Sequence, residues 1–147
     1  MRKVFFDTNV LLDAAIPSRE NFAFANSALS ACDYNDIQGC VSVLTVANAA
    51  YILKKGRTVE EMITVLRANL VGLLVLPMNN EQLQQAYCVD APDFEDVLQY
   101  ECAKAAGCDL IITGNTKHFK FCQDIEVVST IDYAQQFVEE DDDDGVS

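Results

Sequence analysis

No stretch of this 147-residue chain comes near the roughly 20 consecutive apolar residues that a bilayer-spanning helix needs. A membrane-embedded protein is therefore not expected. The opening run Met1-Arg2-Lys3-Val4-Phe5-Phe6 meets Asp7 too soon to hold the apolar core of a secretory leader, so the expected compartment is the cytoplasm. The six cysteines (Cys32, Cys40, Cys88, Cys102, Cys108 and Cys122) include no C-x-x-C pair, which argues against a zinc site. Their irregular spacing beside apolar neighbours points instead to reduced, buried thiols. Basic residues are scarce as well: 10 Lys and Arg face 23 Asp and Glu, for a formal charge of −13. Six of the acids are clustered in Glu139 to Asp144, yet the body still carries 17 acids against 10 bases. Such a surface repels phosphate backbones at long range, so coating of nucleic acid by a basic patch is excluded. Any contact with nucleic acid has to be local or carried by a cation. There is no internal repeat, linker or low-complexity segment ahead of the acidic end.

Half of the residues are apolar, enough for one full core at this length. The expected organisation is a single domain over residues 1–138 and a solvated acidic tail over 139–147. Strands and helices alternate along the chain. Lys3–Phe6 reads as a strand ending at Asp7, followed by a short helix over Asn9–Ala15 and a longer one over Arg19–Cys32. Gly39–Ser42 is a second strand, and Leu44–Lys55 a helix stopped by Gly56. Thr58-Val59-Glu60-Glu61 has the capping-box pattern that starts the next helix. Leu73–Leu76 is a third strand and Asn80–Tyr87 a helix. A helix opening at Asp93 runs to Gly107, and Asp109–Thr113 is an apolar strand of the buried parallel kind. Val127–Val128 and a helix over 130–138, capped by Ser129, close the chain. An alternating order of this kind gives an α/β fold around a parallel sheet of four to five strands.

Residues able to ligate a metal fall just past two predicted strand ends, Asp7 after the first and Asn115 after the fourth, and that edge is where parallel sheets bind ligands. Asp93 and Asp96 lie three apart at a helix start, so both carboxylates can share one side of its first turn. Each has a plainer explanation. An Asp at the N-cap with an acid at the third position stabilises any helix, and Asp7 can simply open a turn. His118, the sole histidine, sits beside Lys117 and reads as a surface residue near the cleft rather than as a general base. Asn48 reads either as a site residue or as a hydrogen-bonded amide. Lys54, Lys55, Arg57 and Arg67 form the densest basic group, at helix ends where cations complement the dipole. Tyr51, Tyr87 and Tyr100 fit helix packing faces more readily than a base-stacking platform.

Taken together, the pieces from Val4 to Val128 resemble a PIN domain. Asp7-Thr8-Asn9-Val10-Leu11-Leu12-Asp13, after an apolar strand, resembles the family's opening motif, whose first Asp ligates the metal. Ser42-Val43-Leu44-Thr45-Val46-Ala47-Asn48 resembles the second, with Asn48 where an acid is usual. Asp93-Phe94-Glu95-Asp96-Val97-Leu98-Gln99 resembles the third, whose helix-borne Asp maps onto Asp96. Ile112-Thr113-Gly114-Asn115-Thr116-Lys117-His118-Phe119 resembles the fourth, normally T-x-D/N-x-x-D-F. The resemblance implies a PIN-like three-layer α/β/α fold and metal-dependent cleavage of single-stranded RNA. It also implies the toxin role of a toxin–antitoxin pair, with a small antitoxin partner and a homodimer.

Magnesium or manganese, hard ions that prefer oxygen ligands and retain several waters, suits that chemistry. The resemblance makes Asp7, Asp96 and Asn115 the catalytic set and metal ligands, with Asp93 assisting. Asn48, Asn115 and His118 stand where acids are common, so cation affinity is expected to be reduced. The alternative is a catalytically weak PIN domain serving as a nucleic-acid or protein binding module.

Overall fold

The computed structural model describes residues 1–137. The acidic tail expected over 139–147 lies outside the described residues. Five strands alternate with helices: β1 (Arg2–Phe6), α1 (Thr8–Ala15), α2 (Phe22–Ser30), β2 (Ile37–Ser42), α3 (Val43–Leu53), α4 (Val59–Leu70), β3 (Leu74–Leu76), α5 (Asn80–Ala86), α6 (Phe94–Ala105), β4 (Leu110–Thr113) and β5 (Glu126–Ser129). A last helix, α7, occupies residues 130–137. Single 3-10 turns lie at Ala31–Asp33 and Thr116–Phe119.

All strand pairs are parallel, in the order β3-β2-β1-β4-β5. Because each strand's side chains alternate between faces, β1 sends Val4 and Phe6 into one core and Phe5 into another. The first core lies under α1, α2 and α7, with Leu11, Ala25, Ala28 and Tyr133 packed on Ile112 and Leu110. The second lies under α6, where Tyr100, Cys102 and Ala103 meet Cys40 and Ile111. This is the expected three-layer arrangement. A smaller cluster joins Leu12 of α1 to Ala49 and Leu53 of α3 and to Met62, Val65 and Leu66 of α4, so the α3–α4 hairpin leans on α1 rather than on the sheet. The strand order changes direction between β1 and β4, which opens a crevice at their carboxyl ends.

Local signals account for most boundaries. Thr58 and Glu61 form the capping box of α4, and Gly56 and Gly107 take positive φ after α3 and α6. The helix expected over Arg19–Cys32 is shorter. It begins at Phe22, because the chain before it is taken up in turns, Arg19 N donating to Ile16 O and Phe22 N to Arg19 O, and it tightens into the 3-10 turn at Ala31. Strand β2 begins at Ile37, earlier than the apolar pattern suggests, since pairing with Arg2 and Lys3 of β1 fixes it. The cysteines are free thiols: Cys40, Cys102 and Cys108 are buried and Cys32 and Cys122 half-buried. Cys88 departs from the expectation by being exposed, because it falls in the turn after α5.

Gly39 marks a close approach of the sheet to the helical layer. A Cβ there would lie 2.6 Å from a Leu73 methyl, 3.1 Å from the Phe6 ring and 3.2 Å from Cys32 Sγ. Gly39→Ala is expected to destabilise the protein by about 1–3 kcal/mol through overpacking, read as a lower urea midpoint at unchanged m-value.

Candidate metal centre and active site

At the crevice between β1 and β4, the chain turns into α1 at Asp7. The Asp7 carboxylate caps that helix, accepting from Thr8 N at 2.8 Å, while its second oxygen accepts from Thr113 Oγ1 at 2.9 Å. Its backbone N–H donates to Ile112 O at 2.9 Å, locking the end of β1 to β4. Asp7 is only 6% exposed. Burial pushes its pKa up, opposed by hydrogen bonds from Thr113 and Thr8, the charge of His118 and the Gln99 side chain.

Asp96 arrives from the first turn of α6. Asp93 is the N-cap of that helix, its Oδ1 accepting from Glu95 N at 2.9 Å and Asp96 N at 3.4 Å. The capping reading of Asp93 and the proximity reading therefore both describe it, since Asp93 also lines the cleft beside Asp7 and Asp96. The cleft has a volume of about 360 Å³, and Arg19, Asn48, Tyr51, Glu95 and His118 complete much of its wall. The Oδ2 of Asp96 is buried with no hydrogen-bond partner. The imidazole of His118 approaches it with Nδ1 at 3.7 Å, too far for a hydrogen bond. Burial raises the Asp96 pKa to about 7, aided by the charges of Asp93, Asp7 and Glu95 and opposed by His118.

Asn115 follows β4, its backbone N–H donating to the Thr113 hydroxyl that also bonds Asp7. Its Oδ1 accepts from Lys117 N at 3.2 Å as the cap of the 3-10 turn, and its Nδ2 contacts His118 Nε2 at 3.1 Å. The turn occupies one lone pair of its oxygen and leaves the other free. His118 is 57% exposed at its side chain, a surface residue near the cleft that nonetheless faces Asp96. Asn48 is half-buried and donates to Glu95 Oε1. The tyrosines correct the packing expectation. Tyr100 is 4% exposed, but Tyr51 is 59% and Tyr87 61% exposed, because α3 packs through Ala49 and Leu53 instead and Tyr87 stacks on the exposed Phe94.

Sequence reasoning missed the polar floor of the site. Ser42 and Thr45 hydroxyls lie 3.0 Å apart, Thr45 Oγ1 donates to Gln99 Oε1 at 3.0 Å, and all three residues are essentially solvent-free. Thr113 joins Asp7 to Asn115 N, its hydroxyl accepting at 3.1 Å. These residues stood inside the recognised motifs, but spacing alone does not show that hydroxyls and amides on β2, α3, α6 and β4 meet beneath one carboxylate.

The arrangement fits a hard dication. Among the described residues no group of three or more His, Cys, Asp or Glu side chains is gathered closely enough to hold an ion by itself. Magnesium, however, is commonly held by one or two carboxylates and completed by waters and substrate phosphate. Asp7 and Asp96 supply such a pair, and the unpartnered Asp96 oxygen is the kind of buried acceptor that calls for a cation.

A parallel α/β sheet with an acid-lined crevice at its switch point defines the class of protein. The PIN domain model matches residues 3–117, and the chain belongs to the PIN domain family. The protein is similar to Ribonuclease VapC1 of Aquifex aeolicus (strain VF5), at 27% identity over 146 residues, covering 92% of this chain and 95% of that one. Among solved structures, VapBC2 from Rickettsia felis bound to a promoter DNA fragment superposes with TM-score 0.65 at 18% identity, over 86% of this chain and 98% of that one. VapC20 from Mycobacterium tuberculosis, described as a sarcin-ricin loop cleaving toxin, superposes with TM-score 0.62 at 12% identity, over 81% of this chain and 96% of that one. At these identities the solved structures establish the fold. Among the described residues no helix is long and apolar enough to cross a membrane.

A carboxylate whose pKa is higher folded than unfolded binds more protons in the native state. Its contribution to stability is full below the unfolded value of about 3.9 and is lost as pH rises through the folded value. For Asp96 that folded value is about 7. The melting temperature of the metal-free protein is therefore expected to fall from about pH 5 to about pH 8, and Asp96→Asn should flatten much of that slope. A slope unchanged in Asp96→Asn would show that Asp96 is not the titrating group.

Proposed function

We propose that the protein is a metal-dependent endoribonuclease acting on single-stranded RNA, and the toxin of a toxin–antitoxin pair. The observation that carries this reading is the buried, unpartnered Oδ2 of Asp96 facing the cleft that Asp7 also lines. The likeness to Ribonuclease VapC1 over 92% of the chain supports it. Asp7 and Asp96 would hold magnesium or manganese, with Asp93 assisting. When bound, the dication polarises the phosphoryl oxygen and lowers the pKa of an attacking water.

The chain's own residues have separate tasks. Thr113 and Thr8 N fix the rotamer of Asp7, so that its carboxylate needs no reorganisation. Asn115 holds the imidazole of His118 against the outer side of Asp96. Asn115 also belongs to the catalytic set as a neutral ligand, through the lone pair of Oδ1 that the turn leaves free. Arg19 reaches the cleft from beside α2 and offers a cation to a phosphate. Tyr51 also lines the cleft, with Lys54 Nζ 4.6 Å and Lys55 Nζ 5.5 Å from its ring centroid. An exposed ring flanked by ammonium groups suits a splayed base and its adjacent phosphate, and a duplex, whose bases are already stacked, offers it nothing.

A small antitoxin, a homodimer and a cytoplasmic site of action belong to this proposal, supported by the fold shared with VapBC2. The second reading, a catalytically weak binding module, draws on the lack of a closed three-carboxylate cluster among the described residues.

Purified protein with millimolar manganese is expected to cleave unstructured RNA, and Asp7→Asn to lower the rate roughly 1000-fold or to background, the several kcal/mol that a Lewis acid contributes. An intact panel of structured and unstructured RNAs would sink the nuclease reading in favour of the binding module. In the inactive Asp7→Asn background, Tyr51→Ala should weaken binding of a fluorescent single-stranded RNA about 5- to 150-fold, matching roughly 1–3 kcal/mol per stacked base. Tyr51→Phe should retain binding, and equal losses in the two variants would rule out stacking.

A further inference from the structure

We propose that the cleft between α5 and α6 binds a linear polyamine, an aliphatic chain carrying several ammonium groups, at the buried carboxylate of Glu101 and the side-chain oxygen of Gln82. The cleft has a volume of about 590 Å³, and its walls include Asn79, Glu81, Gln82, Gln85, Glu101 and Lys104. None of these residues lines the crevice of Asp7 and Asp96, so the site is separate from the metal centre. An adjoining cleft of about 460 Å³ shares Gln85, Glu101 and Lys104 and continues past Asp90 to Tyr100 and Asp124. Both volumes lie in the range of small-molecule sites.

Two side chains of this groove are buried yet lack the partners that burial demands. Glu101 is 7% exposed, and no ion pair among the described residues involves it. Lys104, one turn further along α6, gives its ammonium to Asp124 at 3.1 Å instead. A buried carboxylate without a counter-charge is costly. Gln82 of α5 is likewise 7% exposed. Its Nε2 donates to Pro77 O at 3.4 Å, which fixes the end of the amide that is oxygen, and that Oε1 has no hydrogen-bond partner. Two acceptors from different helices thus line one groove without donors. An ammonium brings three N–H donors and a positive charge together. A bare dication is served less well, because Glu101 is the one buried carboxylate of the groove, Glu81, Asp90 and Asp124 being exposed, and an amide oxygen is a weak ligand beside a carboxylate. Those exposed acids are spaced along the groove, Glu81 in one cleft and Asp90 and Asp124 in the other. That spacing suits ammonium groups strung on one chain rather than a single cationic head.

Spermidine titration calorimetry on the full chain tests the assignment, at an ionic strength of about 0.15 M to screen the general pull of an acidic surface. The wild type is expected to bind spermidine at a single site. Glu101→Gln should weaken binding roughly 10- to 100-fold, as for loss of one hydrogen bond to a charged group, and Gln82→Met roughly 3- to 10-fold. Glu126→Gln, which removes an exposed acid of β5 outside the groove, should leave the affinity unchanged. Equal losses in Glu101→Gln and Glu126→Gln would mean attraction to net charge alone and overturn the site. Nα-acetyl-lysine methylamide carries the single ammonium of a partner protein's lysine and should bind roughly 10-fold or more weakly than spermidine. Equal affinity for the two would assign the groove to a protein side chain and overturn the polyamine. The melting temperature of each ligand-free variant controls for folding. Should a variant unfold, amide chemical-shift changes in the wild type decide. Changes confined to α5, α6 and residues 121–124 support the assignment, whereas changes at the crevice of Asp7 and Asp96, or no binding at all, refute it.

Discussion

The fold is organised around one buried negative charge. Asp7 sits where β1 ends and α1 begins, almost without solvent, and a carboxylate in that position is strongly disfavoured unless its oxygens are partnered. The chain partners both: one with the first amide of α1, the other with the Thr113 hydroxyl at the end of β4. That second bond joins residues 106 apart in sequence, so the strand order around β1 and the preparation of the site are a single structural event. The Ser42–Thr45–Gln99 chain extends the same logic to β2, α3 and α6. Buried polar groups are satisfied in a connected network, and the satisfied network carries a charge that hydrogen bonding alone does not neutralise.

Around Asp7 the electrostatics are deliberately unfavourable in the absence of a cation. Asp96, Glu95 and Asp93 all come from the start of α6, where the helix amides favour acids, yet they face one another and Asp7 across a small cleft. The basic side chains of the same cleft are Arg19 and His118, whose Nδ1 lies 3.7 Å from Asp96 and whose Nε2 meets Asn115. A body rich in acids and a site of raised carboxylate pKa values are two expressions of one arrangement, in which a dication is the natural counter-charge for both protein and phosphate. It also makes so acidic a surface compatible with the RNA substrate proposed for it, since the proposed attraction is local to the cleft and to the Tyr51–Lys54–Lys55 rim.

The sequence made the layered α/β plan legible because its signals are local. Apolar alternation in Val4 to Phe6, the capping box at Thr58 and the glycines at 56 and 107 each act within a few residues, and each element formed where such a signal stood. Asp7 and Asp96 were legible as site candidates for the same reason, being polar residues at a strand end and in a helix's first turn. Asn115 was legible only as a position. Its backbone lies at the crevice, but its side-chain oxygen also caps the turn that follows, a second duty that is invisible in a motif. Tyr51 was misread because a helical face can be assigned to packing only when its neighbour is known, and α3 packs on α1 and α4 through a different stripe.

What the sequence by itself determined, then, is the order and type of the elements, the parallel sheet and the edge at which acids collect, all consequences of interactions spanning a few residues. Only the tertiary structure decided which acids share a cleft and that Thr113, Gln99 and Thr45 form the floor beneath Asp7. The physical reason is desolvation. A side chain's charge, donors and rotamer acquire their meaning only when distant segments remove the water around it, and no spacing along the chain encodes which segments those will be.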